Sequence, residues 1–311
     1  SLRTVFPLLG GQPYQVIQAP SPQPLPVDDV GSAFDLDREI EHETRRPFDL
    51  GSGPLFRARV LRTGPDTHVL VATVHHILFD AWSAGLFLRE LCTIYESKVA
   101  GTSPDLPSLP LRYVDFAVRQ REWLDSPACT AQLAHWTERL TPLPPPLRLP
   151  ADISHTGQRT DRGIHDSVTL VPPLGDRLET WSRQEGVPFF VTLLSAYATL
   201  LHRFSGEQDV VVGTAVANRS KQEFESLLGF FVNTLPLRVD LSGGPTFREL
   251  VQRTKRVAYD AYSNQDIPFE TLVEKLNPDR SAGRDPLVQT LLVLNNTPFA
   301  IRGEFESGGL T

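Results

Sequence analysis

Two adjacent histidines, His75 and His76, precede an aspartate, Asp80, in the segment His-His-Ile-Leu-Phe-Asp. An imidazole titrates near neutral pH, so its neutral form can accept a proton from an amine or hydroxyl that attacks a carbonyl carbon. Adjacent side chains at a strand end point to opposite faces, which lets one histidine be held while the other faces a reactant. The spacing indicates acyl transfer and leaves a purely structural role open.

The sequence lacks the motifs of several other reaction classes. It has no Gly-x-Ser-x-Gly segment, which disfavours a covalent serine hydrolase, and no Gly-rich phosphate loop. Metal binding by the histidine pair is disfavoured because adjacent side chains diverge and no third ligand is obvious. A buried Asp80 needs a cationic or hydrogen-bonding partner. We therefore expect acyl transfer with no metal site.

The elements around the histidines form a rigid support for them. Residues 55–61 alternate like a half-buried strand, residues 64–67 have turn chemistry, and the β-branched run 69–74 predicts a strand buried on both faces. The two strands predict a hairpin that ends at His75. Further helices are predicted at residues 33–46, 82–97, 113–124 and 129–140.

A Pro-rich and polar stretch divides the chain. We predict an N-terminal lobe over residues 1–145, a linker over 146–165 and a C-terminal lobe over 166–311. Strands and helices alternate in the second lobe as well, so the fold class is α/β. The strands are predicted at residues 166–171, 210–213, 235–239 and 287–294, and the helices at 175–184, 189–204, 247–262 and 269–276.

Composition limits the partners and the compartment. The chain has 311 residues, 40% of them hydrophobic, and a net charge of −7, which disfavours nucleic acid as a partner. Its two cysteines, Cys92 and Cys129, suggest no disulfide framework, so a reducing cytoplasm is expected. No apolar run has the length of a membrane span. The start at Ser1 suggests a piece of a longer polypeptide.

Six segments in order resemble the core motifs of nonribosomal peptide synthetase condensation domains, in the chloramphenicol acetyltransferase-like superfamily. Any one segment would be weak evidence, but the ordered set covers nearly the whole chain. The segments are Ser1–Phe6, His75–Ser83, Tyr113–Ala117, Gly229–Arg238, Asn264–Glu270 and Arg280–Gln289, the last followed by Asn295–Pro298.

The resemblance implies a fold and roles for individual residues. The fold would be two chloramphenicol acetyltransferase-like lobes in a V-shaped pseudo-dimer, each a mixed sheet with flanking helices. His76 matches the residue taken as general base or as the group that orients the amine. The remaining positions would support the site or line a substrate tunnel: His75 and Asp80, the Asp80 partner candidates Arg3 and Arg284, Trp82, Ser83, Asn233 and Thr234.

One position departs from the resemblance, because Ala81 stands where the family usually has glycine. A glycine would allow an unusual backbone angle there, but alanine is tolerated wherever φ is negative. We expect φ to be negative at Ala81, since Trp82 and Ser83 match the motif well. The reaction class is then unaffected.

The reaction implied by the resemblance is peptide-bond formation by an acyltransferase. A donor acyl or peptidyl thioester on one carrier protein would be joined to the amine of an aminoacyl thioester on a second. Both substrates would hang on phosphopantetheine arms of the carriers, with an adenylation domain as neighbour and no cofactor bound by this domain. The expected location is the bacterial cytoplasm. Two alternatives are an ester-forming acyltransferase of the same superfamily and a non-catalytic recruitment module.

Overall fold

The computed structural model describes residues 1–31, 35–150, 163, 166–276 and 287–295. Its strands are β1 (Thr4–Val5), β2 (Leu8–Leu9), β3 (Gln12–Pro13), β4 (Val16–Ile17), β5 (Val27–Asp29), β6 (Phe56–Arg62), β7 (His68–Val74), β8 (Asp209–Val216) and β9 (Asn233–Asp240). Its helices are α1 (Leu36–Arg45), α2 (Ala81–Val99), α3 (Tyr113–Leu124), α4 (Pro127–Leu140), α5 (Pro172–Gln184), α6 (Phe189–Ser205), α7 (Gln222–Glu225), α8 (Phe247–Ser263) and α9 (Phe269–Leu276). The predicted α/β class is confirmed.

The chain divides into two compact units whose boundaries differ from the predicted lobes. Of the described residues, 1–119 and 219–231 form the first unit, and 120–218 and 232–295 form the second. Residues 120–145 join the second unit because Trp136 and Leu140 of α4 pack in its core. Most of the predicted linker, 146–165, lies outside the described residues.

The first unit carries the histidines at the end of a three-stranded sheet. Its strand order is β5-β6-β7, with β5 parallel to β6 and β6 antiparallel to β7 in a register that pairs Phe56 with Val74. The predicted hairpin is therefore confirmed. The prediction that β7 is buried on both faces is wrong: Val71 alone of its residues is buried, because β7 is an edge of this sheet within the described residues.

The second unit packs its helices on the antiparallel β8–β9 hairpin, in which Asp209 pairs with Asp240 and Val216 with Asn233. A continuous apolar core joins this hairpin to α4, α6, α8 and α9. The predicted strand at 287–294 is reduced to one parallel bridge, between Leu291 and Gly213. The predicted strand at 166–171 is wrong, since its described residues pair with no strand and leave Val168 and Val171 exposed.

Within the described residues, no single helix has the length and hydropathy needed to cross a bilayer. Helices α5 and α6 meet these criteria only when taken together, and they are bent by 109° at their junction.

Candidate active site

His75 fixes the turn that follows β7. Its backbone N–H donates to the Leu55 carbonyl at 2.9 Å, and its Nδ1 accepts a hydrogen bond from the Ile77 N–H at 3.1 Å. The ring also meets the Phe48 ring edge to face, with centroids 5.8 Å apart. His75 is thus engaged through its backbone and its side chain, and it caps the short 3₁₀ turn His76–Leu78.

His76 is the exposed histidine of the pair. Its Nδ1 lies 2.5 Å from the Phe79 carbonyl oxygen, which can only accept, so Nδ1 carries the proton. In the neutral ring the lone pair then belongs to Nε2, and no described residue hydrogen bonds to that atom. The Phe230 ring stands beside the imidazole with centroids 5.0 Å apart and planes at 88°. Nε2, the atom that could accept a proton, is thus open among the described residues.

Asp80 is buried, with 4% of its surface exposed. It caps the N-terminus of α2, where Oδ1 accepts from the Ser83 N–H at 2.8 Å. Its Oδ2 accepts from the Phe231 N–H at 3.0 Å. The carboxylate therefore joins the start of α2 to the segment 219–231 of the same unit.

The cation that pairs with Asp80 is Arg219, a residue that the sequence reasoning did not identify. Its Nη2 lies 3.2 Å from Asp80 Oδ1, and both side chains are buried. Arg3 is not the partner, because its guanidinium donates to the Gln18 carbonyl instead. Arg284, the other candidate, lies outside the described residues. The sequence signalled only that a buried Asp80 carboxylate needs a cationic or hydrogen-bonding partner, and this requirement does not select Arg219.

Arg219 also organises the backbone of its own segment. Its Nη1 donates to the Phe224 and Leu227 carbonyls at 2.6 and 2.7 Å. Its guanidinium lies 4.0 Å from the centroid of the Phe231 ring. Burial lowers the pKa of Arg219 below its ordinary value, and the Asp80 carboxylate opposes that shift. The pair is almost fully enclosed, with side-chain exposures of 1% for Arg219 and 4% for Asp80.

Ser83 and Trp82 add further links between α2 and the same segment. Ser83 Oγ donates to the Gly229 carbonyl at 2.8 Å and accepts from the Gly229 N–H at 3.0 Å. Trp82 Nε1 donates to the Glu225 carbonyl at 2.8 Å. Both residues that the resemblance placed beside the histidines are therefore occupied in holding residues 225–229.

Tyr113, the first residue of α3, holds the next position of the segment. Its hydroxyl donates to the Phe230 carbonyl at 2.6 Å, and its ring packs edge to face on Phe231. Burial, together with the negative charge of Asp80, raises the pKa of Tyr113 to about 12. The hydroxyl is consequently a donor throughout the neutral and mildly alkaline range.

Ala81 is the first residue of α2 and is exposed. Asn218 is the only described non-glycine residue with positive φ, so Ala81 has the negative φ that we expected. The methyl group that replaces the family's glycine hydrogen requires no unusual backbone angle.

Asn233 belongs to the second unit and is buried there. Its Nδ2 donates to the Gln265 and Ile267 carbonyls at 2.9 and 2.7 Å. Its Oδ1 accepts from the Thr234 and Phe269 N–H groups at 2.9 and 3.0 Å. All hydrogen-bonding positions of the amide are thus filled within the second unit, so the amide braces residues 265–269, and the tunnel-lining role expected from the resemblance stays a prediction. Thr234 is half-buried.

Comparisons with known proteins show the family of the chain. Residues 1–308 match the condensation domain family. The chain belongs to that family. One of the linear gramicidin synthase proteins of Brevibacillus parabrevis is 43% identical over 312 residues, covering 98% of this chain and 4% of the relative. Phosphinothricin tripeptide synthetase PhsC of Streptomyces viridochromogenes is 38% identical, covering 95% of this chain and 28% of the relative. The condensation domain thus spans a small part of these synthetases.

Solved structures give the same fold. The X-domain from teicoplanin biosynthesis superposes with a TM-score of 0.85 at 28% identity, covering 93% of this condensation domain and 65% of that chain. The four-domain nonribosomal peptide synthetase AB3403 superposes with a TM-score of 0.81 at 25% identity. The match covers 95% of this chain and 22% of that chain. The chain is therefore a condensation domain of the nonribosomal peptide synthetase type, as the motif resemblance predicted.

Proposed function

We propose that this condensation domain forms a peptide bond between two carrier-bound substrates, with His76 acting on the attacking amine. The observation that carries the proposal is the orientation of the His76 ring. Nδ1 is tied to the Phe79 carbonyl, which leaves Nε2 open as the acceptor. A neutral imidazole held in one tautomer is the form that general-base catalysis needs.

The proposed reaction transfers the donor acyl group from sulfur to nitrogen. The acceptor amine attacks the thioester carbonyl carbon, and a C–N bond forms as the C–S bond breaks. Nε2 of His76 accepts the proton that the nitrogen loses, and the departing thiolate takes up a proton. Because a thioester is already activated, holding the amine in line with the carbonyl can supply much of the rate.

The proposed substrates define the proposed partners. Both acyl groups would arrive on the phosphopantetheine arms of an upstream and a downstream carrier protein, beside an adenylation domain. We propose no resident cofactor or metal for the domain, since the reaction needs proton transfer and positioning only. A cytoplasmic location remains a prediction.

The test replaces His76 in the intact synthetase that contains this chain. His76→Ala should lower single-turnover product formation from preloaded carriers by roughly 10²–10⁴-fold, the range of general-base contributions. His42→Ala is the matched control, because the His42 side chain is 75% exposed on α1 and should be dispensable. Product formation is followed by intact-protein mass spectrometry.

The acceptor is varied in the same assay, because an alcohol could use the same base. Turnover of an amine-bearing acceptor supports peptide-bond formation. Turnover of a hydroxy-acid acceptor alone would replace the proposal with ester formation.

A second function, recruitment of a partner without catalysis, is favoured by one observation. The X-domain from teicoplanin biosynthesis is similar to this chain, and it also has a solved structure in complex with OxyB. Unchanged product formation by His76→Ala would favour recruitment. The open Nε2 of His76 is the feature that leads us to rank catalysis first.

A further inference from the structure

Three consecutive backbone positions, Gly229–Phe231, are each held by a different side chain. Ser83 binds both the N–H and the carbonyl of Gly229, and Tyr113 binds the carbonyl of Phe230. Asp80 accepts from the N–H of Phe231. We call Gly229–Phe231 the clamped loop. Its backbone is fixed on both sides of Phe230.

The two aromatic side chains of the clamped loop have different environments. Phe231 is 2% exposed and packs among Tyr113, Phe116 and Phe224. Phe230 is half-buried, and its ring contact among the described residues is with His76. The contacts that hold the backbone thus present one phenyl ring to the histidine.

The orientation of the His76 imidazole depends on rotation about its Cα–Cβ and Cβ–Cγ bonds. The hydrogen bond from Nδ1 to the Phe79 carbonyl fixes the position of one ring atom. This hydrogen bond restrains rotation about Cβ–Cγ, but small concerted rotations about the two side-chain bonds can still tilt the ring. The Phe230 ring, perpendicular to the imidazole at 5.0 Å, restricts this tilt, and edge-to-face packing is a favoured geometry for aromatic pairs.

We propose that Phe230 is a positioning residue that sets the direction of the His76 Nε2 lone pair. The expected effect of Phe230 on kcat rests on the proposed function, because it assumes that His76 takes part in peptide-bond formation. The orientation of the imidazole can be measured independently of peptide-bond formation, so the two proposals can fail separately.

The first experiment is kinetic and uses the intact synthetase. Phe230→Leu keeps an apolar side chain but removes the ring, and it should lower kcat by roughly 2–10-fold, the factor that matches loss of one aromatic contact. KM for the carrier-bound acceptor should be unchanged. Phe230→Tyr keeps the ring and should restore the rate. Phe247→Leu, which removes a ring that packs on Trp181 of the second unit, is the matched control.

The second experiment measures the imidazole itself. Diethyl pyrocarbonate acylates the unprotonated nitrogen of histidine, and peptide mass spectrometry gives its rate at each site. Phe230→Leu should raise the rate at His76 by roughly 2–10-fold, because one side of the ring is uncovered and the ring can tilt. The rate at exposed His42 should stay constant. Tyr113→Phe, which releases the Phe230 carbonyl, should change the His76 rate in the same direction.

The outcomes separate the alternatives. Lower kcat with a changed His76 reactivity supports the proposal. Lower kcat with unchanged reactivity overturns it, because Phe230 would then act on the substrate. Unchanged kcat and unchanged reactivity also overturn it. Changed reactivity in a protein whose His76→Ala variant is fully active would preserve the positioning role and reject the catalytic function.

Discussion

Arg219 and Asp80 are 139 positions apart in the chain, yet Arg219 Nη2 lies 3.2 Å from Asp80 Oδ1. Their side chains are 1% and 4% exposed, so the pair is almost free of solvent. Each partner also holds backbone groups, those of Ser83 and Phe231 for Asp80 and those of Phe224 and Leu227 for Arg219. The pair thus fixes the segment that carries Phe230 to the helix that follows the histidines.

Loss of one member of this pair should destabilise the fold strongly. Arg219→Met removes the charge but keeps much of the volume, and it leaves the Asp80 carboxylate buried without its cation. We expect the free energy of unfolding to fall by about 3–5 kcal/mol, as for other broken buried pairs. Urea-induced unfolding followed by tryptophan fluorescence measures this change.

An exposed ion pair provides the control. Arg45 and Glu41 lie one turn apart on α1, and both side chains are more than half exposed. Arg45→Ala should change the free energy of unfolding by at most about 0.5 kcal/mol, because solvent screens such pairs. Equal effects of the two substitutions would show that burial of Asp80 and Arg219 has no energetic weight.

Local patterns in the sequence predicted most of the elements around this pair. The bounds of α3 and α9 agree with those predicted from the apolar spacing of residues 113–124 and 269–276. This spacing is local information, because the apolar face of a helix is formed by residues three or four positions apart. The β6–β7 hairpin followed from alternation and turn chemistry. Its edge position did not, because strand order depends on contacts between distant segments.

The pairing of Arg219 with Asp80 could not be predicted from local patterns either, because it also depends on contacts between distant segments. The chain has 30 lysines and arginines, and nothing in the spacing near Asp80 selects one of them. The bracing contacts of Asn233 could not be predicted either, because a polar residue in a motif has the same letter whether it braces a loop or contacts a substrate. The amide's four hydrogen bonds are visible only once residues 233 and 265–269 are brought together.

Asn233 should therefore behave as a structural residue. Asn233→Ala leaves two carbonyls and two N–H groups without the amide, and it should lower the free energy of unfolding by about 2–3 kcal/mol. KM for either carrier-bound substrate should not change, since the amide is fully occupied. Gln222→Ala, at an exposed position of α7, is the control. A raised KM with unchanged stability would support the tunnel-lining interpretation instead.

Ala81→Gly should have little effect. The residue is exposed at the first position of α2, where its φ is negative, so glycine relieves no strain there. We expect the free energy of unfolding of Ala81→Gly to lie within about 0.5 kcal/mol of the parent value. Its rate of product formation should lie within about twofold of the parent rate. Ala84→Gly, one turn further into α2, should cost about 1 kcal/mol. A large rate increase in Ala81→Gly would mean that the methyl group obstructs the substrate.

Tyr113 should make the free energy of unfolding depend on pH in the alkaline range. Its pKa is about 12 in the folded protein, above the ordinary value of 10. A raised pKa means that the folded state keeps the proton after the unfolded state has lost it. The associated stabilisation is complete below pH 10 and disappears as pH rises to 12. The difference in unfolding free energy between parent and Tyr113→Phe should fall by about 2–3 kcal/mol over that interval.

Chemical denaturation of parent and Tyr113→Phe at several pH values measures this difference. The subtraction removes the contribution of lysines and other tyrosines that titrate in both proteins. A difference that does not vary between pH 9 and 12 would mean that the phenol is hydrated in the folded state.

Gly229 and Gly175 give the sharpest paired test of the clamped loop. A Cβ added at Gly229 would lie 2.2 Å from Tyr113 Cδ2 and 2.8 Å from Phe231 Cε2, so one of these rings must move. A Cβ added at Gly175, inside α5, would meet no atom within 4 Å. Neither residue has a positive φ, so backbone strain does not separate them.

The two alanine variants should therefore change stability in opposite directions. Gly229→Ala should lose about 1–3 kcal/mol through overpacking, and it should slow peptide-bond formation because Tyr113 can no longer hold the Phe230 carbonyl. Gly175→Ala should gain up to about 1 kcal/mol from helix propensity, with an unchanged rate. Unfolding and single-turnover product formation are measured on the same preparations. If Gly229→Ala lost stability but kept the parental rate, the position of Phe230 would have no bearing on His76.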